Sequence, residues 1–582
     1  MALAATNLYE LRNTATAGNL NGGGFNPGNA NFFTDFTATS ADTAAPVISS
    51  ASYAFVAGDQ DAYAYVKAGT NWRAGFYRIA SVSGGNATLD ATLGTGMYFD
   101  AGMNRWLPTT WTGCASTASP TGGTLGFAFM FQDAAEATMT DLASVGASTT
   151  LTSAAAPFRA IFVGNILSLN TTGTGAFGVV GRYEIVSYTN ATTVVTDRTT
   201  NTGTALVAGQ GRIGGAVPLG TTGTLSDDSF FERDGVAGNR YFFRSGTYTP
   251  FALAIAVGGT VSAPQFWTGY KTVWGDVCND SDRPVLAMAA NGLTAPVRVQ
   301  IRNIIFTTTA ANGITAALGD IWENCSFINT STTTGRAAFG TSTGSLINCE
   351  FISYRGSALV LTGASFIMGC IIRNSDIGVR TTTSGSGHVR IDDCIIENCR
   401  SFGFQVGSAI TGAIYINRCT FVGTLDTTGV AIDIPTGKSA IYISENIIWG
   451  WATGIQAVDS VANSLSYGNN FYNNDTDVTV WQKMKSDMAI DPAFTNEGQI
   501  TGATATTSGS VLTQSGADFS TVTDNVDFCY LVSGTGITVG FYKITGHTTT
   551  TLTFDIAPGT SATADKVFSV VTGHNLMPTG AI

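Results

Sequence analysis

The side chains in this sequence that could do chemistry are carboxylates in the middle of the chain. The candidates are Glu350, Asp376, Asp392, Asp393, Glu397 and Glu445. Glycoside hydrolysis needs two carboxyl groups about 5–10 Å apart. A glycan-cleaving chain would draw its pair from Glu350, Asp392, Asp393 and Glu397. These four acids occupy different positions in the repeats described below, and the sequence does not bring them together in one cluster. We therefore expect no catalytic residue and interpret these acids as surface charges.

Few residues are available for other kinds of site. The three histidines, His388, His547 and His574, lie far apart, which argues against a triad or a zinc site. Two matches to G-x-G-x-x-G, at 173–178 and 209–214, do not open a helix in a βαβ unit. The Asn/Asp-rich stretch 469–477 lacks a recognised calcium spacing. We expect no cofactor and no metal.

The charge balance limits the partners. The 582 residues carry a net charge of −12, which argues against binding to nucleic acid or to an anionic membrane. No run of 18 apolar residues occurs, so we expect no membrane insertion. The start of the chain has no basic and apolar stretch of the secretory kind, which counts against a secreted enzyme.

The elements that would position these carboxylates are internal repeats. An Asn-apolar-x-aromatic/Ile pattern recurs every 21 to 28 residues between about 300 and 475. Its copies are Asn303-Ile-Ile-Phe306, Asn324-Cys-Ser-Phe327, Asn348-Cys-Glu-Phe351, Gly369-Cys-Ile-Ile372, Asp393-Cys-Ile-Ile396, Arg418-Cys-Thr-Phe421, Asn446-Ile-Ile-Trp449 and Asn469-Asn-Phe-Tyr472. Turn glycines and β-rich segments repeat in step. The pattern predicts the stacked rungs of a parallel β-helix over about 235–495.

Stacked rungs place equivalent residues in columns. The second position of the repeat, mostly Cys, predicts an inward column of free thiols. The fourth predicts an inward aromatic column containing Phe327, Phe351 and Phe421. The third position points outward and needs cover from flanking segments or, as we favour, from a neighbouring subunit. The candidate interface residues there are Ile305, Ile371, Ile395, Ile448 and Phe471.

A second repeat reads Gly-x-Tyr-x-Ile and is followed by an Asp. Its three copies contain Tyr77, Tyr183 and Tyr542. It predicts three small antiparallel β modules with one shared fold. A helical pattern covers Asp133 to Val145. We divide the chain into an N-terminal arm (1–41), a β module (42–95), a connecting segment with a short helix (96–149), a second β module (150–215), the parallel β-helix (216–500) and a C-terminal β module (501–582).

Several segments resemble known families. Tyr241-Phe-Phe-Arg-Ser-Gly-Thr-Tyr248 and Asp491-Pro-Ala-Phe494 resemble the entry and exit of pectin-lyase-like right-handed parallel β-helices. The Gly-x-Tyr-x-Ile modules, with Arg212-Ile-Gly-Gly-Ala216, are similar to segments of tailed-bacteriophage virion proteins. The resemblance implies an all-β chain with a right-handed parallel β-helix flanked by small antiparallel modules. It also implies a virion surface protein, often trimeric: a tailspike, a fibre or a capsid-decoration protein.

We therefore expect a non-enzymatic structural protein of the bacteriophage virion surface that forms a homotrimer. Its partners would be copies of itself, other virion proteins and a host surface glycan used in host attachment. Two alternatives stay open. One is a tailspike depolymerase that cleaves host polysaccharide with paired carboxylates, and the other is a cellular polysaccharide lyase or hydrolase.

Overall fold

The structure is a computed structural model. It describes residues 7–13, 20–38, 46–90, 97–100, 105–109, 113–115, 120–170, 181–200, 206–219, 236–254, 258–276, 278–294, 297–309, 313–316, 319–331, 338–341, 344–382, 387–408, 410–423, 429–438, 440–459, 464–481, 484–492 and 498–572. These residues are almost all in strands and turns. Short 3-10 helices occupy Ala57–Asp59, Ala160–Phe162 and Asp280–Asp282. Within the described ranges no helix is long and apolar enough to cross a membrane.

The chain divides into two compact units. The first is Met1–Met288 with Ala295–Ile305, and the second is Ala289–Thr294 with Phe306–Ile582. Two strands, Val285–Thr294 and Ile305–Thr308, contain residues of both units.

Most of the second unit is a parallel β-helix with three strands in each rung. The first ladder contains Asp320–Glu323, Gly344–Ile347, Ser365–Met368, Val389–Asp392, Ile414–Asn417, Ile441–Ser444 and Leu465–Tyr467. The second ladder contains Ser326–Asn329, Glu350–Ser353, Ile371–Thr381, Ile395–Gln405, Thr420–Val422, Ile447–Trp449 and Asn470–Tyr472. The third ladder contains Ile314–Ala316, Phe339–Thr341, Ser357–Leu361, the ends of the two long strands, Val430–Ile434, Thr453–Ala457 and Thr476–Thr479. The predicted parallel β-helix is confirmed.

The first unit contains five parallel strands that form a ladder. Its strands are Val217–Pro218, Leu8–Arg12, Arg240–Arg244, Gln265–Tyr270 and Val299–Arg302, in that order. Gly24–Phe25 pairs antiparallel with Leu8–Arg12, and Thr247–Ala254 is a further strand of this unit. The segment taken as an N-terminal arm thus supplies a fully buried strand to the ladder.

The predicted interior columns are present in the second unit. The rings of Phe327 and Phe351 stack 5.0 Å apart at 9°, and Phe306 stacks on Phe327 at 5.5 Å. The backbone N–H of Cys349 donates to the Cys370 sulfur at 3.4 Å, so the two cysteines are neighbours in one column. All nine cysteines are free. Stacking therefore aligns these thiols without joining them.

The predicted register is wrong by one residue at the last two rungs. Thr420, Phe421 and Val422 pair with Ile447, Ile448 and Trp449. The turn position requires a positive φ, and Glu445 (φ 58°) and Gly468 (φ 67°) occupy it there. Asn is the commonest residue at this position in earlier rungs because it tolerates that conformation. Asn446 and Asn469 lie one residue after the turn, so the repeat pattern wrongly assigns them to the turn position.

The shifted asparagines lie inside the β-helix, in the column that the cysteines occupy above them. Both are buried, and the Asn446 side-chain amide donates to Asn469 Oδ1 at 2.9 Å. Asn446 Oδ1 accepts the backbone N–H of Cys419 at 2.8 Å. A buried amide needs hydrogen-bond partners, and the stack supplies them. Asn446 and Asn469 therefore form a short amide stack in the core of the β-helix.

Three barrels accompany the β-helix. The first contains Phe33–Ala38, Val47–Ser49, Tyr63–Thr70, Gly75–Ser83, Asn86–Leu89 and Thr121–Ala128, with the hairpin Met97–Asp100 and Arg105–Pro108 inserted before its last strand. The second contains Ala137–Ser144, Thr150–Thr152, Ile166–Asn170, Gly181–Asn190, Thr193–Thr196 and Leu206–Ile213. The third, in the second unit, contains Gly498–Ser508, Val511–Thr513, Phe528–Ser533, Gly540–His547, Thr551–Phe554 and Ser561–Thr572.

The three barrels share one topology, as the Gly-x-Tyr-x-Ile repeat predicts. With the six strands of each barrel numbered in chain order, the order around every barrel is 1-2-5-4-3-6. The motif begins strand 4, and its Tyr and Ile are buried in each copy. The Asp after strand 5 donates its backbone N–H to the residue before that Ile: Asp90 to Arg78, Asp197 to Glu184 and Asp555 to Lys543.

The predicted helix over Asp133 to Val145 is wrong. Ala137–Ser144 is a strand that pairs antiparallel with Leu206–Ile213. Met139 and Leu142, three residues apart, are both buried, which imitates a helical period. The ladder register shifts between these two residues. Such a bulge adds one residue and turns both side chains to the same face.

Candidate functional site

Two of the four candidate carboxylates meet on the outer face of the second ladder. Arg373 lies between them: its Nη2 is 2.5 Å from Glu350 Oε1, and its Nη1 is 3.6 Å from Glu397 Oε1. Ser326 donates its hydroxyl to Glu350 Oε2 at 3.0 Å. The register explains the meeting, because Arg373 pairs directly with Glu397 on the next rung. The result is a carboxylate–guanidinium–carboxylate triad.

Glu397 is the buried member of this triad. Its side chain is 4% exposed. Burial raises the pKa of the Glu397 carboxyl to about 7, while Arg373 opposes that rise and the nearby Glu350 adds to it. A carboxyl group with a pKa near neutrality is the kind that general acids use. Its burial and its arginine partner suit a structural ion network equally well.

The other two candidates, Asp392 and Asp393, end a strand of the first ladder and begin the turn after it. Arg390 Nε lies 2.6 Å from Asp392 Oδ2, and the Asn417 amide donates to Asp392 Oδ1 at 2.8 Å. Arg418 binds both oxygens of Asp393 at 2.7 and 2.9 Å, and these hydrogen bonds lower the pKa of Asp393. The four candidates therefore form two separate groups.

The predicted interface column is only partly outward. Ile371 is 37% exposed, and Ile305 and Ile395 are partly exposed. Ile448 and Phe471 are buried inside the β-helix, so their assignment to an outward surface is wrong. The one-residue register error explains this, because alternate residues of a strand face opposite sides. Ile447 is the outward residue of that rung.

The chain's own third barrel covers part of the outer face of the second ladder. Ile352 and Tyr354 are buried against Phe528, Tyr530 and Phe541 of that barrel. Tyr354 donates its hydroxyl to Asp555, the motif aspartate, at 2.8 Å. The sequence predicts that either flanking segments or a neighbouring subunit cover this outer face. A flanking segment of the same chain covers part of it.

A small cavity lies where the third barrel meets the β-helix. It has a volume of about 140 Å³. Arg400 binds Asp376 at 2.6 Å and donates to the Tyr530 hydroxyl at 3.3 Å, and Arg355 donates to the Val539 carbonyl at 2.9 Å. These contacts hold the barrel to the β-helix, so we interpret this cavity as part of a structural joint.

A larger cleft occurs in the first unit, with a volume of about 600 Å³. Residues from distant segments line it, among them Arg12, Arg78, Gln132, Tyr270 and Trp274. No motif predicts it, because the lining is assembled from strands that are far apart in the chain. None of the four candidate carboxylates lines this cleft or the small cavity.

Behind the wall of the cleft lies a buried carboxyl group that sequence reasoning missed. Glu10 is fully buried, and its Oε1 accepts hydrogen bonds from Arg12 Nε at 2.6 Å and from the Tyr270 hydroxyl. Burial raises the pKa of Glu10 to about 7, and Arg12 opposes the rise. The signal in the sequence was a Glu-x-Arg pair inside the apolar strand Leu8–Arg12.

The described residues contain no group of three or more His, Cys, Asp or Glu that could hold a metal ion.

Comparison with known proteins agrees with the fold. Residues 289–448 match a family model described as a right handed beta helix region. The match confirms the right-handed parallel β-helix that the resemblance implied. No curated protein sequence matches the chain.

Solved structures similar to this chain include lyases and phage tailspikes. The pectate lyase Pel9A has 14% identity and a TM-score of 0.33, covering 47% of this chain and 78% of its own. A double mutant of the tailspike protein of E. coli bacteriophage HK620 has 10% identity and a TM-score of 0.30, covering 58% and 82%. The tailspike gp61 of Pseudomonas phage phi297 has 13% identity and a TM-score of 0.19, covering 75% and 81%.

Proposed function

We propose that this chain is a structural surface protein of a bacteriophage particle, a tailspike, fibre or capsid-decoration protein, which works as a homotrimer and does not cleave glycans. One observation carries the non-enzymatic part. Each of Glu350, Asp392, Asp393 and Glu397 lies against an arginine side chain. The ion pairs of Glu350, Glu397 and Asp393 join neighbouring rungs, and that of Asp392 lies within one strand.

The geometry at Arg373 supports this interpretation. A glycosidase pair must leave room for a sugar between its two carboxyl groups. Here the guanidinium group of Arg373 occupies the space between Glu350 and Glu397. Breaking a buried ion network of this kind is costly, which fits a structural role in a rigid shaft.

The proposed trimer rests on the outer face of the second ladder. Ile371 is exposed there beside the partly exposed Ile395. Aliphatic side chains on an open sheet face favour burial against another surface. Three parallel shafts around one axis would give each copy the same cover, because cyclic symmetry repeats one interface.

Sedimentation tests the oligomer. The purified chain should sediment as a trimer, and Ile371→Asp should shift it towards the monomer, because a buried unpaired charge opposes association. Val145→Asp is the matched control, since Val145 is 87% exposed directly after the strand Ala137–Ser144 of the second barrel. A monomeric wild type, or a trimer that Ile371→Asp leaves intact, would contradict the proposal.

Labelling tests the location. Gold-labelled antibodies raised against the purified chain should bind intact phage particles. Particles that stay unlabelled, while the same antibodies detect the protein in lysates of infected cells, would contradict a place on the virion surface.

The depolymerase alternative has one observation in its favour, the pKa of about 7 for Glu397. In that case Glu397 would act as the general acid and Glu350 as its partner, and Arg373 would have to move to admit a sugar. The alternative predicts polysaccharide cleavage that Glu397→Gln abolishes.

A further inference from the structure

All three barrels bury the same part of their outer surface. Strands 3 and 4 of each barrel pair antiparallel, and their alternate residues face into the barrel or away from it. The outward pairs at the equivalent register position are Tyr65 and Phe76 in the first barrel, Ser168 and Arg182 in the second, and Tyr530 and Phe541 in the third. Five of these six residues are buried, although they lie outside the barrel cores. We call this surface the docking face.

The docking face of the first barrel packs against the parallel ladder of the first unit. Phe76 is buried in one cluster with Leu8 and Phe242, which belong to strands of that ladder. The ring of Trp274 joins them, because it lies 4.9 Å from the ring of Phe76 and 4.9 Å from that of Phe242. An aromatic docking face therefore meets an apolar ladder surface here.

The docking face of the third barrel meets the second ladder of the β-helix in the same way. Tyr530 and Phe541 are buried in one cluster with Ile352 and Tyr354. Ile352 is a residue of the strand Glu350–Ser353, and Tyr354 follows that strand directly. The rings of Tyr530 and Phe541 lie 4.7 Å apart, so they form one continuous apolar surface. The first and third barrels thus bind the same kind of partner.

The second barrel has a polar docking face and a different partner. Arg182, at the position of Phe76 and Phe541, is fully buried. Its guanidinium group donates hydrogen bonds to the backbone carbonyls of Asn21 and Gly22, each at 3.0 Å. Both carbonyls belong to residues outside any strand. A guanidinium group supplies the donors that such carbonyls need. The chemistry of the docking face therefore follows the chemistry of the partner.

The sequence motif itself carries this difference. Phe76, Arg182 and Phe541 each occupy the first variable position of Gly-x-Tyr-x-Ile, while the Gly, Tyr and Ile are the same in all three barrels. We propose that the barrel is a binding module and that this one residue selects its partner. A phenylalanine directs the barrel to the apolar outer face of a parallel β-ladder, and an arginine directs it to backbone carbonyls outside regular strands. The proposal goes beyond the structural function above, because it assigns a specific binding face to each barrel.

The third barrel is suited to a test because it has a closed sheet and a core of its own. Twelve buried residues, among them Leu512, Leu531 and Ile544, pack inside it without a residue of the β-helix. In the test, a specific protease site replaces residues 493–497 of the full chain, and the folded protein is cleaved there. Gel filtration at micromolar concentration then shows whether the barrel stays bound to the β-helix, and competition with free barrel gives the dissociation constant.

Two changes on the docking face should release the barrel. Phe541 lines the small cavity together with Arg355 and Arg400. Phe541→Arg would bury a third guanidinium group beside these two, so it should raise the dissociation constant at least about tenfold. Tyr530→Ser keeps the surface neutral but removes an aromatic ring from the joint, so it should have an effect in the same direction. Val526→Arg is the matched control, because it adds the same charge to the same barrel at a residue that is 46% exposed. It should bind like wild type.

The outcomes decide the proposal. Retention of the barrel by cleaved wild type and by Val526→Arg, with release from both docking-face variants, supports it. Circular dichroism of the released barrels shows that they are still folded, and Tyr530→Ser decides alone if Phe541→Arg does not fold. Separation of the barrel from cleaved wild type, retention by both docking-face variants, or equal release from Val526→Arg would overturn it. None of these results depends on whether the chain forms a trimer or cleaves polysaccharide.

Discussion

The two units each contain a buried glutamate beside an arginine, and the two glutamates differ in whether that arginine also lines a cleft. Glu10 and Glu397 both have a pKa raised to about 7 by burial. Arg12 and Tyr270, which bind Glu10, also line a cleft of about 600 Å³. Arg373, which binds Glu397 and Glu350, lines neither this cleft nor the small cavity. Burial raises the pKa of both acids, and of the two described cavities the larger lies beside Glu10.

Replacing the arginine beside each buried glutamate should have the largest effect on the free energy of unfolding. Arg373→Met leaves Glu397 and Glu350 without their cation and should lower the free energy of unfolding at pH 8 by about 3–5 kcal/mol. Arg12→Met leaves Glu10 without its cation and should cost a similar amount. Denaturant unfolding measures both. Arg418→Met is the control, because the side chains of Arg418 and of its partner Asp393 are each 47% exposed, and it should cost less than about 1 kcal/mol. Equal stability of Arg373→Met and wild type would break the comparison.

The raised pKa of Glu397 should have a smaller, pH-dependent effect. Its folded-state pKa of about 7 lies above the usual 4.5. Its contribution to stability is therefore complete below about pH 4.5 and is lost as pH rises through 7. Glu397→Gln should gain stability relative to wild type between pH 5 and pH 8, on the order of 2 kcal/mol. Unfolding curves at both pH values measure the difference. The exposed Glu445→Gln should show no such gain, and a gain of equal size there would contradict the burial argument.

The smallest effect is expected at Asp393. The Asp393 and Arg418 side chains are each 47% exposed, so water screens their ion pair. Asp393→Asn should lower the free energy of unfolding by less than about 1 kcal/mol. Thermal unfolding checks this. A loss as large as that of Arg373→Met would show that exposure does not separate the two groups of acids.

The β-helix could be predicted from sequence because its columns repeat residue types. The Cys and Phe columns over 325–421 have the register that their spacing predicts. The prediction failed where a residue type moved by one position, as at Asn446, because an Asn favours a left-handed turn and a buried amide stack alike. The helix prediction failed at Met139 because a bulge hides the strand period.

The site was harder to predict because its residues share no pattern. Arg373 could be placed between Glu350 and Glu397 only after the register was known. The cleft joins Arg12, Gln132 and Trp274, which no spacing rule connects. Packing between segments far apart in the chain brings these residues together. The residues next to them in the sequence do not indicate this contact. The Glu-x-Arg pair at Glu10 was the one local sign, because charged residues in a buried strand need partners.

The central claim, that the ladder carboxylates are structural, is tested most directly by polysaccharide cleavage. The purified protein is incubated at high concentration with the capsules or lipopolysaccharides of candidate host bacteria, and reducing ends are measured beside the Glu397→Gln and Asp393→Asn variants. The account predicts no release above the no-protein blank for any of the three. Steady release by wild type that Glu397→Gln or Asp393→Asn abolishes would contradict it.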